Sequence, residues 1–440
     1  MKQRICLGDK VINMKISEFI QNISGNKYNE LLSTLYGEND KIISKQKERY
    51  INALKSFSSF FPNRDDVKMY SASGRTEIGG NHTDHQHGVV LAGAVNLDVI
   101  AVVSFHSDNI VRVKSEGYEP FETSLDNLSV NPDDSGTASI IKGVIAKYAE
   151  KGIKTEGFDM YCTSDVISGG GISSSASFET LICTIINSHY NENKSQAFEI
   201  AQIGWFAENV YFGKKCGLLD QTVSAFGGLV SIDFSDSDKP IIEKISFDFN
   251  KYGYSLCITD TKSSHENLTD DYDAITDEMR SVANFFNCNV LNDVNVDEFY
   301  SSIPKLREIC PDRAILRAIH FFDETKRAKL EAEALKNNDI EEFLSLVNES
   351  GNSSCELLQN LYSNKNPLNQ EIPLAIAMSK KILKGKGAVR VHGGGFAGTI
   401  QAFVPNELVK QYKTSIEEIF GKDSCLELNI RPVGGIEIKK

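Results

Sequence analysis

Through the first sixty residues, apolar side chains recur at three- and four-residue intervals, in KISEFIQNI and again in YINALKSFSSFF; that spacing predicts helices. The pattern then changes. VKMYSAS predicts a strand, and the Val- and Ile-rich run GVVLAGAVNLDVIAVVSF (88–105) predicts paired strands. Asn96 and Asp98 in the middle of that run count against a membrane-spanning helix, where both would be costly. NIVRVKS is a further strand. TASIIKGVIAKYAEK has small and apolar residues on one face, the mark of an amphipathic helix. FDMYCTSDV predicts a strand, followed by helices in FETLICTIINSHY and SQAFEIAQIGWFAENVYF. LVSIDFS begins a new strand. In the second half YSLCITD, AVRVHGG and TIQAFV are predicted strands, and CPDRAILRAIHFFDETKRAKLEAEALK is predicted helical.

A chain of 440 residues is too long for one simple core. The pattern divides it into a helical N-terminal extension (1–40), an N-terminal domain (41–230) and a C-terminal domain (231–440). No Pro- or Gly-rich tract marks a flexible linker between the domains. With 41% apolar and 24% charged residues the chain is expected to fold rather than stay disordered. Its formal net charge of −13 counts against nucleic acid as a partner. The nine cysteines show no CxxC spacing, so reduced, buried thiols are expected. The N-terminus holds no apolar stretch of signal-peptide length. A cytoplasmic protein with no membrane partner is the expectation; oligomeric state stays open.

ISGGGISSSAS lies between a predicted strand and a predicted helix. Gly169, Gly170 and Gly171 let the backbone approach a ligand closely, and Ser173, Ser174 and Ser175 bring hydroxyl and N–H groups to the helix start. That end of a helix suits a phosphate. A plain Gly/Ser turn with a capping serine reads equally well. No Gly-Lys-Ser/Thr follows, so this is not a Walker loop. A bound triphosphate would need Mg²⁺ to balance its charge, with Ser175 and an acidic residue as ligands.

A second cluster, HGGGFAGTIQAFV, places Gly393, Gly395 and Gly398 at GxGxxG spacing. A dinucleotide fold needs a helix next, whereas TIQAFV reads as a strand. The cluster is therefore a tight strand–strand loop or a backbone wall beside a site. An oxidoreductase is disfavoured.

Together these motifs resemble the GHMP small-molecule kinases, and within them the galactokinases. GRTEIGGNHTD is similar to the galactokinase signature Gly-Arg-x-Asn-x-x-Gly-Glu-His-Thr-Asp; SDVISGGGISSSASFE and RVHGGGFAGTI are similar to the second and third motifs. GLLDQTVSAFGG resembles the segment bearing the catalytic aspartate, and SSHENLTDDY keeps the His-to-Tyr spacing. The resemblance spans about residues 65–405. It implies two α+β domains with the active site in the cleft between them, and transfer of the ATP γ-phosphoryl group to the anomeric hydroxyl of a sugar. It implies Asp220 as base and Arg75 as its partner. Ser175 and Glu208 match the Mg²⁺ ligands, and residues 169–171 and 173–175 match the ATP-binding loop. Asn81, His82, Asp84, Tyr272 and Gly394 match the sugar site.

The resemblance also bears on His82, Asp84, His85 and His87, four potential metal ligands within six positions. A closed zinc site needs four ligands, and no cysteine nearby completes one. Short acceptors and imidazoles instead suit sugar hydroxyls. His85 and His87 are expected at a solvated loop edge. The loop departs from the signature: Asn81 stands where galactokinases have glutamate, Glu77 where they have asparagine, and Gly79 where they have an aliphatic residue. Ile167 and Ile275 replace a proline and an arginine. At 4 Å a glutamate would repel a C6 carboxylate by about 4 kcal/mol at an effective dielectric of 20. With Asn81 that repulsion is absent, and Asp84-His85-Gln86 also resembles plant galacturonate kinases. Galactose is the expected substrate and galacturonate the alternative. A non-catalytic sugar sensor on the same fold is a further alternative, counted against by the retention of Arg75, Asp220, Ser175 and Glu208.

Overall fold

The computed structural model describes residues 13–131, 133–134, 136–166, 172–214, 216–263 and 268–439. The first sheet takes β1 (Met14–Lys15), β2 (Asp66–Gly79), β3 (Val89–Phe105), β4 (Ile110–Ser115), β5 (Phe121–Ser124), β6 (Phe158–Ser164), β7 (Leu229–Asp233) and β8 (Ile241–Ile245). The second takes β9 (Tyr254–Asp260), β10 (Ala388–Val391), β11 (Thr399–Pro405) and β12 (Cys425–Leu428). A last short strand, β13 (Ile436–Glu437), returns to β2 of the first sheet.

The main path of the first sheet runs β1-β2-β3-β6-β4-β5, antiparallel except between β4 and β6. The apolar run expected to form paired strands is one strand of 17 residues. The reason lies in its partners. One edge of β3 pairs with β2; the other pairs with β7 over Val89–Gly93 and with β6 over Val99–Phe105. Both faces are covered as well. Tyr70, Ala72, Val99, Ala101 and Val103 face the helices Gly136–Glu150, Ser174–Tyr190 and Ala197–Phe206. Val67, Met69, Ile100 and Val102 face the helices Ile16–Ser24, Asn29–Tyr36 and Asp40–Phe60. A strand buried on both faces reads as unbroken apolar sequence.

This covering layer continues past the extension expected to end at residue 40, because the sheet face needs all three helices to shield it. The division expected at residue 230 falls inside β7, since the β7–β8 hairpin extends the first sheet to Ile245. Asp98, in the middle of β3, is fully buried. It accepts from Arg49 Nη1 at 2.6 Å, Tyr36 Oη at 2.6 Å and Arg431 Nη1 at 3.0 Å. A buried charge persists only when paired in this way.

The second sheet is antiparallel, in the order β10-β11-β9-β12. The helices Glu371–Leu383 and Val409–Phe420 cover one face through Ile372, Ala375, Tyr412 and Ile416. On the other, Leu256, Ile258 and Phe403 join Phe343 and Val347 of the helix Ile340–Ser353, in a core that continues to Leu91 and Val95 of β3. Both halves therefore share one apolar core. No helix among the described residues is long and apolar enough to cross a membrane.

Candidate active site

Arg75 and Asp220 meet where the two halves face each other. A register irregularity in β2 between Ser73 and Arg75 re-aims the arginine, whose backbone N–H donates to Ile172 O at 3.0 Å. Asp220 is the second residue of the helix Leu219–Phe226. Nε of Arg75 donates to Oδ1 at 2.6 Å and Nη2 to Oδ2 at 2.8 Å. Burial pushes the Asp220 carboxyl up. The charge and hydrogen bonds of Arg75, a hydrogen bond from Ser173 and the charge of Lys214 outweigh burial and hold it below the usual carboxylate range. The result is an ionised carboxylate at a helix start.

Gly169, Gly170 and Gly171, together with Ile167, lie outside the described residues. Ser173 adopts a left-handed φ of 56° just before the helix Ser174–Tyr190, and its hydroxyl turns to Asp220. Ser174 and Ser175 open onto a cavity of about 340 Å³ with apolar walls that include Val99, Ile140, Phe178 and Phe212.

Glu208 sits in a π-helical turn, Ala207–Phe212, that interrupts the expected helix; such turns gather at functional sites. Its carboxylate accepts from Lys214 Nζ at 3.2 Å, Cys216 Sγ at 3.0 Å and Gln221 Nε2 at 2.8 Å. Gln221 Nε2 also lies 2.9 Å from Glu179 Oε2. Glu179 is fully buried. Burial and the neighbouring Glu208 push its carboxyl well above the usual range. Sequence reasoning missed both Glu179 and Gln221, although Glu179 ends the quoted second motif and Gln221 follows Asp220 directly.

The loop after β2 is held by Thr83, whose Oγ1 lies 2.8 Å from both Gly80 O and Val89 O. His82 has a left-handed φ of 58° and donates from Nε2 to Gly394 O at 3.0 Å, which leaves Nδ1 as an acceptor. Burial lowers its pKa, so the ring is neutral. Asp84 packs on Gly217, where a Cβ would come within 2.4 Å of Oδ2. Burial, with the charges of Glu77 and Asp220, raises its pKa to about 6.

The loop between β10 and β11 forms the facing wall. Its carbonyls at Gly393, Gly394 and Gly395 accept from Asn81 Nδ2 (2.7 Å), His82 Nε2 (3.0 Å) and Tyr272 Oη (3.0 Å). A Cβ on Gly394 would lie 2.6 Å from Tyr272 Cε1, so the tyrosine ring needs glycine there.

Two expectations change. Asn81, expected at the sugar, has its whole amide engaged. Nδ2 donates to Glu77 Oε1 at 2.9 Å and to Gly393 O; Oδ1 accepts from Asn360 Nδ2 at 2.9 Å and Ser354 Oγ at 3.3 Å. Its backbone is held too: His320 Nε2 donates to the carbonyl at 2.9 Å, and Glu324 Oε1 accepts from the N–H at 3.3 Å. Apart from Glu77, four residues away, these partners lie 239 to 312 residues away, which hid them from any local pattern. His85, expected at a solvated edge, packs against the His82 ring at 5.7 Å, and its Nδ1 accepts from Gln86 Nε2 at 3.2 Å. Burial lowers its pKa to about 3. His87 is half-buried with a left-handed φ of 61°. Among the described residues no three His, Cys, Asp or Glu side chains converge as a metal site.

A mixed two-sheet fold with an arginine-held carboxylate beside a serine-rich helix start is that of a small-molecule kinase of the GHMP type. The profile described as "GHMP kinases N terminal domain" matches residues 139–228, and "Galactokinase galactose-binding signature" matches residues 55–105. Similar structures include Lactococcus lactis galactokinase complexed with galactose (TM-score 0.75, 21% identity, 87% of this chain and 97% of that one) and a mevalonate kinase (0.57, 15%, 82% and 98%). A galactokinase of Glaesserella parasuis serovar 5 is 30% identical over 364 residues, 81% of this chain and 90% of that protein. The chain belongs to the galactokinase family, a family of ATP-dependent sugar kinases.

Proposed function

We propose that this chain transfers the γ-phosphoryl group of ATP to the C1 hydroxyl of galactose, giving galactose 1-phosphate. The observation that carries the reading is the two-pronged Arg75–Asp220 pair, flanked by the His82–Asp84 loop and the Ser174–Ser175 helix start. Asp220 accepts the C1 hydroxyl proton as that oxygen attacks phosphorus. Arg75 keeps Asp220 ionised and offers positive charge to the transferring group. His82 Nδ1, Asp84 and Tyr272 meet sugar hydroxyls, and Gly394 shapes the wall behind Tyr272. The triphosphate lies at the helix start, met by the backbone and hydroxyls of Ser174 and Ser175; Gly169, Gly170 and Gly171 are assigned to it by their motif alone. The cavity lined by Val99, Ile140 and Phe178 has the apolar walls a nucleobase needs.

Ser175 and Glu208 are the residues that would hold Mg²⁺. Ser175 stands one helical turn from Glu179, and Gln221 bridges Glu179 to Glu208. A hydroxyl and one carboxylate, completed by phosphate and water, is an oxygen set that Mg²⁺ accepts. Bound there, the ion would neutralise phosphate charge.

Galacturonate loses its basis at Asn81. That amide is saturated, and the Glu77 carboxylate 2.9 Å away restores a negative charge beside it. A sugar sensor needs no base held ionised by arginine. The test is ATP consumption with Mg²⁺ over galactose, galacturonate, N-acetylgalactosamine, glucose and arabinose. Galactose is expected to give the highest kcat/KM; a higher value on galacturonate would overturn the substrate assignment, and no turnover on any sugar would overturn the kinase reading.

A further inference from the structure

Glu77 is a carboxylate within the sugar-binding region with one oxygen fixed and the other unclaimed. It stands two residues after Arg75 in β2, so both side chains leave the same face of the sheet, about 7 Å apart along the strand. Oε1 accepts from Arg390 Nη2 at 2.8 Å and from Asn81 Nδ2 at 2.9 Å. Arg390 is fully buried and also donates to Ile78 O. Oε2 has no hydrogen-bond partner among the described residues, and the side chain keeps 8% of its surface open. Its charge reaches Arg75, His82 and Asp84, three residues placed at the sugar and its base.

An ionised carboxylate oxygen that nearly leaves water without a partner is costly, and a hydroxyl supplied by the ligand satisfies it. Asn81 supplies no group to a ligand, because its donors and acceptors are all taken. We propose that Glu77 is a sugar-binding residue: Oε2 accepts a hydrogen bond from a hydroxyl of the hexose, while Arg390 and Asn81 lock the carboxylate in place. The hydroxyl belongs to the end of the ring away from C1, at C4 or C6, because Asp220 and Arg75 occupy the C1 end. This deepens the galactose assignment and rests on it.

The test pairs a substitution with deoxygalactoses. Wild type and Glu77→Gln are compared on galactose and its 2-, 4- and 6-deoxy analogues, with KM for ATP followed in parallel. Glu77→Gln is expected to lower kcat/KM for galactose at least tenfold and leave KM for ATP unchanged. The penalty wild type shows for 4-deoxy- or 6-deoxygalactose should largely vanish in the variant, and the 2-deoxy penalty should persist. A loss confined to stability would leave all three penalties intact. Unchanged penalties at C4 and C6 overturn the proposal. A wild-type enzyme active on another sugar but not on galactose overturns the substrate assignment first and is told apart by that alone. Should Glu77→Gln not fold, Glu77→Asp keeps a charge for Arg390 while withdrawing the carboxylate by one methylene, and the same coupling is read from it.

Discussion

Arg75 grips Asp220 with two parallel hydrogen bonds, Nε to Oδ1 and Nη2 to Oδ2, from strands and helices 145 residues apart in sequence. A planar fork can make that pairing and an ammonium cannot. Asp220→Asn is therefore expected to lower kcat by about 10²- to 10⁴-fold, the usual worth of a positioned base, with sugar-induced thermal stabilisation retained. Arg75→Lys should lower kcat as well, despite keeping the charge. Steady-state kinetics and thermal shifts with galactose measure both; an Asp220→Asn enzyme with wild-type turnover would remove the base from the mechanism.

With Asp84 at the sugar, as proposed, its titration sets a pH limit on sugar capture. Its carboxyl is raised to about 6, so it loses its proton only as pH rises through that value. As an acceptor for sugar hydroxyls it works in the ionised form. We expect kcat/KM for galactose to fall as pH drops through about 6, since that parameter reports the free enzyme. Asp84→Asn should abolish this limb and lower kcat/KM at pH 8. A flat wild-type profile between pH 7 and 5 would count against the role.

Gly79 and Glu331 share one space. A Cβ on Gly79 would lie 1.6 Å from Glu331 Oε2, and neither carboxyl oxygen of Glu331 has a hydrogen-bond partner. Gly79→Ala is expected to destabilise the protein by about 1–3 kcal/mol, the usual cost of overpacking. Glu331→Ala should be less harmful, or stabilising, in the Gly79→Ala background. Burial, then the nearby Glu324, pushes the Glu331 carboxyl well above its ordinary value. The folded protein then holds a proton that the unfolded chain releases above pH 4.5. Stability falls as pH rises from there toward the folded-state value, by up to about 1.4 kcal/mol per pH unit. Glu331→Gln should flatten that slope; denaturant titrations at several pH values show it.

Local chemistry carried much of this site, and long-range chemistry carried the rest. Arg75, Asp220, His82 and Glu208 sit in short motifs whose order along the chain survives folding. Glu77 was visible as a departure from the signature, but its meaning depends on Arg390, 313 residues away. The signature position of Asn81 points to the sugar; Asn360, Ser354 and Gly393, which saturate its amide together with Glu77, come to it only after the halves meet. The single long β3 was hidden for a related reason. A strand covered on both faces and changing partners midway has no polar alternation to mark its continuity.

The ribbon near the end of the chain bears on synthesis. Arg431 completes the shell around Asp98, and β13 pairs with the strand that carries Arg75. A ribosome therefore exposes the sheet that carries Arg75 long before it delivers Arg431 and β13. Until Arg431 emerges Asp98 is short of one of its two arginines, and until residue 437 follows β2 lacks part of an edge. The nascent first half must wait as an unfinished structure, and a message cut short anywhere in the second half yields a protein with an open flank along the strand that carries Arg75.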